Sequence, residues 1–344
     1  MDAGLPVALT MGDPAGIGPE IAAKSWRART AHDLPVFALI GDPAAVRAVW
    51  DGPVEEIGTP EAAADVFDHA LPVIPVRTER PVEPGRPTED GARAALQALE
   101  LGVGLARAGS VGAVVTGPVS KERLYDIGFT HPGQTEFIAE RCGVSKTNVA
   151  MMLAGPSLRC VPVTGHVALV EVEGLLSTEL IVARARATLR GLIRNFGIER
   201  PRLAVAGMNP HAGENGAIGR EEIDLIEPAV KQLREEGWDV VGPLPADTMF
   251  HARARADYDA ALAMYHDQAL IPLKALHFDE GVNMTLGLPI VRTSADHGTA
   301  FGIAGTDVAL PDATIAALTM AAEAVRHRAS QGNPLPQAID APAE

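Results

Sequence analysis

Three histidines in this chain each follow a short apolar run of the kind that forms a buried strand. The runs are residues 161–164, 203–208 and 260–264, and the histidines that follow them are His166, His211 and His266. In an open α/β sheet, ligands bind beyond the carboxyl ends of the strands, so these imidazoles are placed to share one divalent metal ion. Three protein ligands with one position left open are typical of catalytic metal sites. A second interpretation, in which each histidine is a separate structural residue, stays open.

The type of ligand narrows the choice of metal. Neutral imidazole suits zinc, cobalt, nickel or iron better than magnesium, which prefers oxygen ligands. Two carboxylates, Asp247 and Asp267, are candidates to orient a metal-bound histidine through a hydrogen bond to its other nitrogen.

The elements that must position these residues alternate along the chain. Strand-like runs occupy residues 7–10, 36–40, 111–115 and the three runs that precede the histidines. Residues 88–108 and 312–328 carry apolar side chains at helical spacing. Continuous apolar runs suit parallel strands covered on both faces, so the alternation predicts an α/β fold. The chain has 344 residues, enough for two domains, and the Pro- and Ala-rich tail after Gln331 is predicted to be loose.

Composition excludes several classes of function. The net charge is -15, with 44 acidic and 29 basic residues, which argues against nucleic acid or an anionic membrane as the main partner. The 2 cysteines are too few for a disulfide framework and favour a cytosolic setting. We find no apolar stretch of about 18 residues and no basic segment before an apolar run at the start, so a soluble, cytoplasmic protein is expected.

A glycine-rich segment, residues 11–20, follows the first strand and opens a helical segment. Glycine allows close backbone approach, and a helix N-terminus favours an anion. The segment matches neither the G-x-G-x-x-G fingerprint nor the Walker A pattern, so the usual dinucleotide and P-loop interpretations fail. A tight strand-to-helix turn and a binding role both stay open.

Polar residues in the last third of the chain indicate an anion site. Lys274, Asn283 and Arg292 are evenly spread along residues 270–293. Basic residues are scarce here, so this Lys and Arg favour a phosphate or carboxylate ligand, with plain surface placement as the alternative. The glycine-containing loop that follows holds Asp296 and His297, which could exchange protons or bind a nucleotide.

Taken together, these segments resemble the 4-hydroxythreonine-4-phosphate dehydrogenase family of vitamin B6 biosynthesis. The resemblance covers nearly the whole chain, through segments in the family's order: residues 11–20, 116–121, 209–214, 246–248, 265–268 and 297–301. It implies a two-domain fold like that of isocitrate and isopropylmalate dehydrogenases, with mostly parallel sheets and an active-site cleft between the domains. The first domain would comprise residues 1–125 and 285–344 with the nucleotide loop, and the second residues 126–284 with the metal ligands and the dimer contact.

The resemblance also implies an activity. This is NAD- or NADP-dependent oxidation of 4-phosphohydroxy-L-threonine with a divalent metal, followed by decarboxylation to 3-amino-2-oxopropyl phosphate. The metal could be zinc, magnesium or cobalt. The enzyme would be a homodimer with its active site at the subunit interface.

The family's functional residues carry over to positions of this sequence. The metal ligands would be His166, His211 and His266, one of them supplied by the partner subunit. Catalytic roles would fall to Asp247 and Lys274. The substrate would contact Gln134, Thr135, Lys274, Asn283 and Arg292. The cofactor would contact Asp296, His297, Gly298 and Thr299.

This chain departs from the family pattern at several positions. Gln134 stands where the family usually has His, and glutamine keeps a donor and an acceptor but carries no charge. Gly165 replaces a usual Thr, and Ala295 and Gly302 replace a usual Pro and Asp in the nucleotide loop. A paralogous dehydrogenase therefore stays open, acting on threonate or erythronate 4-phosphate or on an aromatic dihydrodiol. An alternative from another class of enzyme is a phosphate-acyl transferase that uses no NAD. The three histidines argue against this alternative.

Overall fold

The computed structural model describes residues 4–332, which divide into two compact units. The first unit comprises residues 4–142 and 289–332, and the second comprises residues 143–288. From the sequence, the first domain was predicted to end at residue 125 and to resume at residue 285. Of the tail predicted to be loose, residues 333–344 lie outside the described part of the chain.

The strands of both units are short. They are β1 (Val7–Thr10), β2 (Phe37–Gly41), β3 (Val54–Glu56), β4 (Leu71–Pro75), β5 (Ala113–Thr116), β6 (Ala150–Gly155), β7 (Leu158–Pro162), β8 (Arg202–Ala206), β9 (Asp239–Leu244), β10 (Ala260–Ala263), β11 (Val282–Leu286) and β12 (Val291–Ala295).

The α-helices lie between the strands in the chain, except that α12 follows the last strand. They are α1 (Gly18–Arg27), α2 (Pro43–Arg47), α3 (Ala63–Val66), α4 (Glu89–Ala108), α5 (Lys121–Asp126), α6 (Gln134–Arg141), α7 (Val172–Leu175), α8 (Thr178–Phe196), α9 (Glu227–Glu235), α10 (Ala252–Arg255), α11 (His266–His277) and α12 (Asp312–Ser330).

The two longest internal helices begin and end with the expected capping residues. The Thr88 hydroxyl accepts from the Gly91 amide at the start of α4, and Ser177 accepts from Leu180 in the same way at the start of α8. Each helix ends at a glycine in the left-handed conformation, Gly109 and Gly197. In each of these helices, a side-chain cap therefore sets the N-terminus and a left-handed glycine sets the C-terminus.

In the first unit the strands pair in the order β3-β4-β2-β1-β5-β12, and each neighbouring pair is parallel. Helix α4 packs on β1, β2 and β5, and α12 packs on β5 and β12. Strands β1 and β2 are buried along their whole length, as expected for parallel strands covered by helices. The predicted parallel α/β architecture is confirmed in this unit.

In the second unit the order is β11-β6-β7-β10-β8-β9. The strands β7, β10, β8 and β9 run parallel, whereas β6 is antiparallel to both of its neighbours. The three strands that precede the histidines, β7, β10 and β8, are therefore adjacent parallel strands. Their carboxyl ends meet at one edge of the sheet, which is where ligands bind in folds of this kind.

Within residues 4–332, no helix combines the length and the apolar character needed to cross a membrane.

Candidate active site

The ends of strands β7 and β10 bring two of the predicted histidines together. Beyond the strands, the Val163 amide donates to the Ala263 carbonyl over 2.8 Å, and the Thr164 hydroxyl donates to the Met264 carbonyl over 2.8 Å. These bonds extend the parallel pairing past the regular strands. His166 and His266 follow the two extended segments. The centroids of their imidazole rings are 4.9 Å apart, and the ring planes are inclined by 45°.

His266 begins helix α11, and one of its ring nitrogens already has a partner. Its Nδ1 lies 2.8 Å from Oδ1 of Asp267, the carboxylate named from the sequence as a candidate to orient a metal-bound histidine. This bond fixes the ring orientation and leaves Nε2 as the nitrogen suited to a metal. The other carboxylate named for that role, Asp247, is exposed in a turn of residues Ala246–Thr248.

The spacing of the two rings agrees with a shared ion. With a metal–nitrogen bond of about 2.1 Å, each ring centroid would lie roughly 3.2 Å from the ion, so tetrahedral ligands would have centroids about 5 Å apart. The observed 4.9 Å between His166 and His266 is close to this distance. The two rings are therefore spaced as two histidine ligands of one divalent ion would be.

The side chain of Gln268 holds this edge of the sheet in place. Its Oε1 accepts from the Met264 amide over 2.7 Å, and its Nε2 donates to the Gly207 carbonyl over 2.8 Å. One nearly buried carboxamide thus joins the end of β10 to the end of β8. This role was not predicted from the sequence, although a glutamine two residues after the strand-end histidine was a visible signal.

His211 lies in an unusual turn after β8. Six consecutive residues, 211–216, have positive φ, and four of them are not glycine, a conformation that costs about 1–2 kcal/mol per such residue. Glu222 stabilises the approach to this turn: it accepts from the amides of Met208 and Asn209, each over 2.8 Å, and from Nδ2 of Asn209 over 3.0 Å. Glu222 was not predicted from the sequence either.

The three histidines do not form one cluster in the single chain. His211 is 70% exposed and lines a pocket of about 970 Å³ with neighbours that include Glu214 and Pro243. Among residues 4–332, no three His, Cys, Asp or Glu side chains gather closely enough to hold a metal ion. The structure thus pairs His166 with His266 and does not bring His211 to them.

The remaining predicted polar residues of the second unit lie on separate elements. Lys274 is partly buried on α11, two turns beyond His266. Asn283 lies on β11, opposite Leu153 of β6, and its Oδ1 is buried without a hydrogen-bond donor from the described residues. A buried acceptor of this kind is costly unless a ligand or water satisfies it.

A hydrogen-bond network in the first unit surrounds Arg292 on strand β12. Its Nη2 donates to Oγ1 of Thr116 over 2.7 Å and to Oε1 of Gln134 over 3.2 Å. Burial lowers the pKa of Arg292 to about 10, opposed by the nearby charge of Glu136, so the group is cationic at neutral pH. Thr135 is the next residue of α6. A buried guanidinium that stays cationic is suited to an anionic ligand.

The glycine-rich segment, residues 11–20, packs against residues 117–118 and against the predicted nucleotide loop. Gly12 has a φ of 75°, and a Cβ there would lie 2.2 Å from the Pro118 carbonyl oxygen. The Ile17 amide at the start of α1 donates to the Thr299 carbonyl over 3.0 Å. This amide is therefore used by the protein itself, which favours the tight-turn interpretation of residues 11–20.

The predicted nucleotide loop follows β12. The Nδ1 of His297 lies 3.1 Å from the Gly298 carbonyl oxygen, while its Nε2 is buried without a hydrogen-bond partner among the described residues. A buried ring nitrogen of this kind is costly unless a ligand such as a nucleotide, or a water molecule, satisfies it. The donor and acceptor groups in the loop, from Asp296 to Thr299, fit a cofactor of that type.

The fold is that of an α/β protein with polar groups near the ends of its strands. The family model described as "Pyridoxal phosphate biosynthetic protein PdxA" matches residues 34–321, and the chain belongs to this family.

Relatives agree over almost the full length. The chain is 54% identical over 323 residues to the 4-hydroxythreonine-4-phosphate dehydrogenase of Zymomonas mobilis subsp. mobilis, covering 94% of this chain and 96% of the relative. The crystal structure of the Klebsiella pneumoniae 4-hydroxythreonine-4-phosphate dehydrogenase matches with a TM-score of 0.84 and 36% identity, over 93% of this chain and 99% of that one. A terephthalate 1,2-cis-dihydrodiol dehydrogenase from Burkholderia xenovorans LB400 matches with a TM-score of 0.65 and 31% identity, over 93% and 98%.

Proposed function

We propose that this chain oxidises 4-phosphohydroxy-L-threonine with NAD or NADP and a divalent metal. The oxidised acid then loses carbon dioxide to give 3-amino-2-oxopropyl phosphate, on the route to pyridoxal 5'-phosphate. The observation that carries the proposal is the 54% identity to the Zymomonas mobilis enzyme over 94% of this chain. The cytoplasmic location expected for this chain stays a prediction.

The proposed metal ligands are His166, His211 and His266. The close pair of rings from His166 and His266 supports the first and third of these assignments. A homodimer in which one of the three histidines comes from the partner subunit would explain why a single chain does not cluster them. When bound, the metal would act as a Lewis acid on the substrate hydroxyl and on the oxygen that becomes negative during decarboxylation.

The proposed substrate contacts supply positive charge and hydrogen bonds. Arg292 and Lys274 would bind the phosphate and carboxylate groups, with Asn283, Gln134 and Thr135 as hydrogen-bonding partners. The lowered but still high pKa of Arg292 supports this role, because the group stays charged at neutral pH. Charge-assisted hydrogen bonds of this kind are about twice as strong as neutral ones.

Two residues are proposed to exchange protons with the substrate. Asp247 is an exposed carboxylate suited to accept the hydroxyl proton, and Lys274 carries an ammonium group suited to supply the proton that replaces carbon dioxide. When bound, the nicotinamide cofactor would supply the hydride acceptor, and the protein would contribute orientation and charge. Asp296, His297, Gly298 and Thr299 would contact that cofactor.

The experiment that tests this function is a steady-state assay of NADH or NADPH formation from 4-phosphohydroxy-L-threonine. We expect activity that stops after dialysis against a chelator and returns on addition of zinc, cobalt or magnesium. Full activity after exhaustive metal removal would refute the metal requirement. No turnover with either cofactor and any of the three metals would refute the function.

A second candidate is a paralogous dehydrogenase with another substrate. The likeness to a terephthalate dihydrodiol dehydrogenase at 31% identity, together with Gln134 in place of a usual histidine, favours testing it. Threonate 4-phosphate, erythronate 4-phosphate and an aromatic cis-dihydrodiol form the comparison panel. A kcat/KM for one of these above that for 4-phosphohydroxy-L-threonine would replace the first proposal with the second.

A further inference from the structure

Helix α1 carries a buried carboxylate that binds two backbone amides beyond the predicted nucleotide loop. Glu20 is 2% exposed; its Oε1 accepts from the Ala309 amide over 3.0 Å, and its Oε2 accepts from the Gly305 amide over 3.3 Å. A buried carboxylate is costly unless it is paired and hydrogen-bonded. Its cationic partner is Lys24, one turn further along the helix, whose Nζ lies 2.8 Å from Oε1.

The ammonium group of Lys24 binds the same segment through carbonyl oxygens. Its Nζ donates to the carbonyls of Asp307 and Ala309, each over 2.8 Å, and lies 3.0 Å from Oδ1 of Asp307. With Glu20, these acceptors outnumber the three N–H groups of an ammonium, so the protein itself uses every donor of Lys24. Together Glu20 and Lys24 hold residues 305–309 mainly by their backbone.

Apolar contacts attach the neighbouring residues to the same helix. Ile17 and Ile21 pack in one buried cluster with Ala304 and Ala309. The Ile17 amide also donates to the Thr299 carbonyl over 3.0 Å. The start of helix α1 therefore contacts the chain at both ends of the segment that runs from residue 299 to residue 309.

Two residues of this segment have a backbone conformation that they rarely adopt unaided. Ala300 has a φ of 45° and Asp307 a φ of 61°, both in the left-handed region. Such residues persist only where the surroundings hold them. Between them, the Ile303 amide donates to the Ala300 carbonyl, and the Thr306 amide donates to the Ile303 carbonyl. A movement at Asp307 would therefore be passed along these bonds to the predicted nucleotide loop.

We propose that Glu20 and Lys24 are positioning residues that hold the predicted nucleotide loop in the conformation that binds the cofactor. Neither side chain needs to contact the cofactor, because their polar atoms are engaged within the protein. One loop group whose position would matter is the Nε2 of His297, which is buried without a hydrogen-bond partner among the described residues. The proposal rests on the proposed function for the presence of a nicotinamide cofactor, whereas the conformation of the loop can be measured without it.

Substitutions of Lys24 separate positioning from packing. Lys24→Met keeps an unbranched side chain of similar length and removes the ammonium, whereas Lys24→Arg restores a cation beside Glu20. Asp307→Asn is a milder change, which removes one exposed charge from Lys24 and leaves Glu20 paired. The control is Lys146→Met, at an exposed position in the second unit.

The test combines two measurements on each purified full-length protein. Hydrogen exchange without cofactor, followed by mass spectrometry, reports on the loop. Titration with NADH and with NADPH, followed by nicotinamide fluorescence, reports cofactor affinity. We expect Lys24→Met to speed exchange in residues 297–309 and to raise the Kd of the cofactor about tenfold, the effect of roughly one hydrogen bond. Asp307→Asn should raise Kd about threefold, and Lys24→Arg and Lys146→Met should stay within about twofold of the unsubstituted chain.

Steady-state kinetics separate this role from catalysis. The KM for the cofactor should rise with Kd, whereas kcat and the KM for 4-phosphohydroxy-L-threonine should change less than about threefold in Lys24→Met. A general loss of structure would change all of these constants together, and Lys24→Arg would not restore only the first of them.

Specific results would overturn the proposal. Faster exchange in residues 297–309 of Lys24→Met, with a Kd within about twofold of the unsubstituted chain, would show a merely structural role. If Lys24→Met does not fold, Asp307→Asn decides, and unchanged exchange with unchanged Kd overturns the proposal.

The same measurements distinguish this proposal from the proposed function. An unsubstituted chain that binds neither NADH nor NADPH would refute both. Cofactor binding weakened by Lys24→Met, without any turnover of 4-phosphohydroxy-L-threonine, would refute the proposed function alone. Normal turnover with a Kd unaffected by Lys24→Met would refute the positioning role alone.

Discussion

The imidazole rings of His166 and His266 lie with their centroids 4.9 Å apart because their strands, β7 and β10, are parallel neighbours. The pairing continues beyond both strands, where Thr164 donates hydrogen bonds to the Met264 carbonyl. It brings the two histidines together although they are 100 positions apart in the sequence. This arrangement gives the second unit a preformed pair of nitrogen donors.

Removal of either ring of the pair should remove bound metal. We expect His166→Ala and His266→Ala to lower metal content, measured by elemental mass spectrometry after gel filtration, to below about a tenth of the unsubstituted level, because an incomplete ligand set binds zinc-type ions poorly. The control is His32→Ala at an exposed position in the first unit. Equal metal content in all of these proteins would contradict the assignment.

Gln268 should contribute to stability as a buried hydrogen-bonding group. We expect Gln268→Leu to lower the free energy of unfolding by about 2–4 kcal/mol, because the Met264 amide and the Gly207 carbonyl both lose their partner. Urea unfolding followed by circular dichroism measures this loss. The matched change Gln232→Leu on an exposed helix face should cost less than about 0.5 kcal/mol. Similar losses of unfolding free energy in the two variants would show that the buried hydrogen bonds of Gln268 contribute no more stability than a surface glutamine does.

Glu222 should be needed for the turn that contains His211. Replacement by Ala leaves the Met208 and Asn209 amides without their acceptor, and we expect an unfolding free energy lower by about 3 kcal/mol or more. Hydrogen exchange measured by mass spectrometry should show faster exchange in residues 207–216. Protection unchanged in this segment would mean that the turn is held by other contacts.

The two cysteines should be unreactive as thiols. Burial raises the pKa of Cys142 to about 11 and that of Cys160 to about 12, so both stay protonated as the pH rises from 7 to 9, where ordinary thiols ionise. We expect iodoacetamide at pH 8 to modify neither residue in the native protein within an hour, and both after denaturation. Rapid alkylation of Cys160 in the native state would contradict its burial.

The sequence predicted the central strands well and the peripheral ones poorly. Strands β1, β2, β5, β7, β8 and β10 were predicted within a few residues. Strand β12 was missed because its buried positions hold Arg292, Thr293 and Ser294, whose polarity hides the strand pattern. Strand β9 was missed because polar and glycine–proline residues interrupt it.

Residue type alone indicated chemistry for the histidines and Arg292, and their assigned roles stay predictions. The contacts of Gln268, Glu222 and Thr116 were not predicted, because the fold supplies a partner that the local sequence does not indicate: Gly207 for Gln268, Asn209 for Glu222 and Arg292 for Thr116. Pairing of the three histidines could not be settled from spacing, since it depends on which strands are neighbours and on the turn after β8. The fold places His166 beside His266 and places His211 in the separate turn that follows β8.

The central claim is a metal-dependent oxidation coupled to decarboxylation. The most direct test measures NADH or NADPH and carbon dioxide together, from 4-phosphohydroxy-L-threonine, with the metal-depleted protein and with the same protein after metal is restored. We expect one reduced cofactor and one carbon dioxide per substrate consumed with metal, and neither without it. Reduced cofactor without carbon dioxide, or equal product from the metal-depleted protein, would contradict the account.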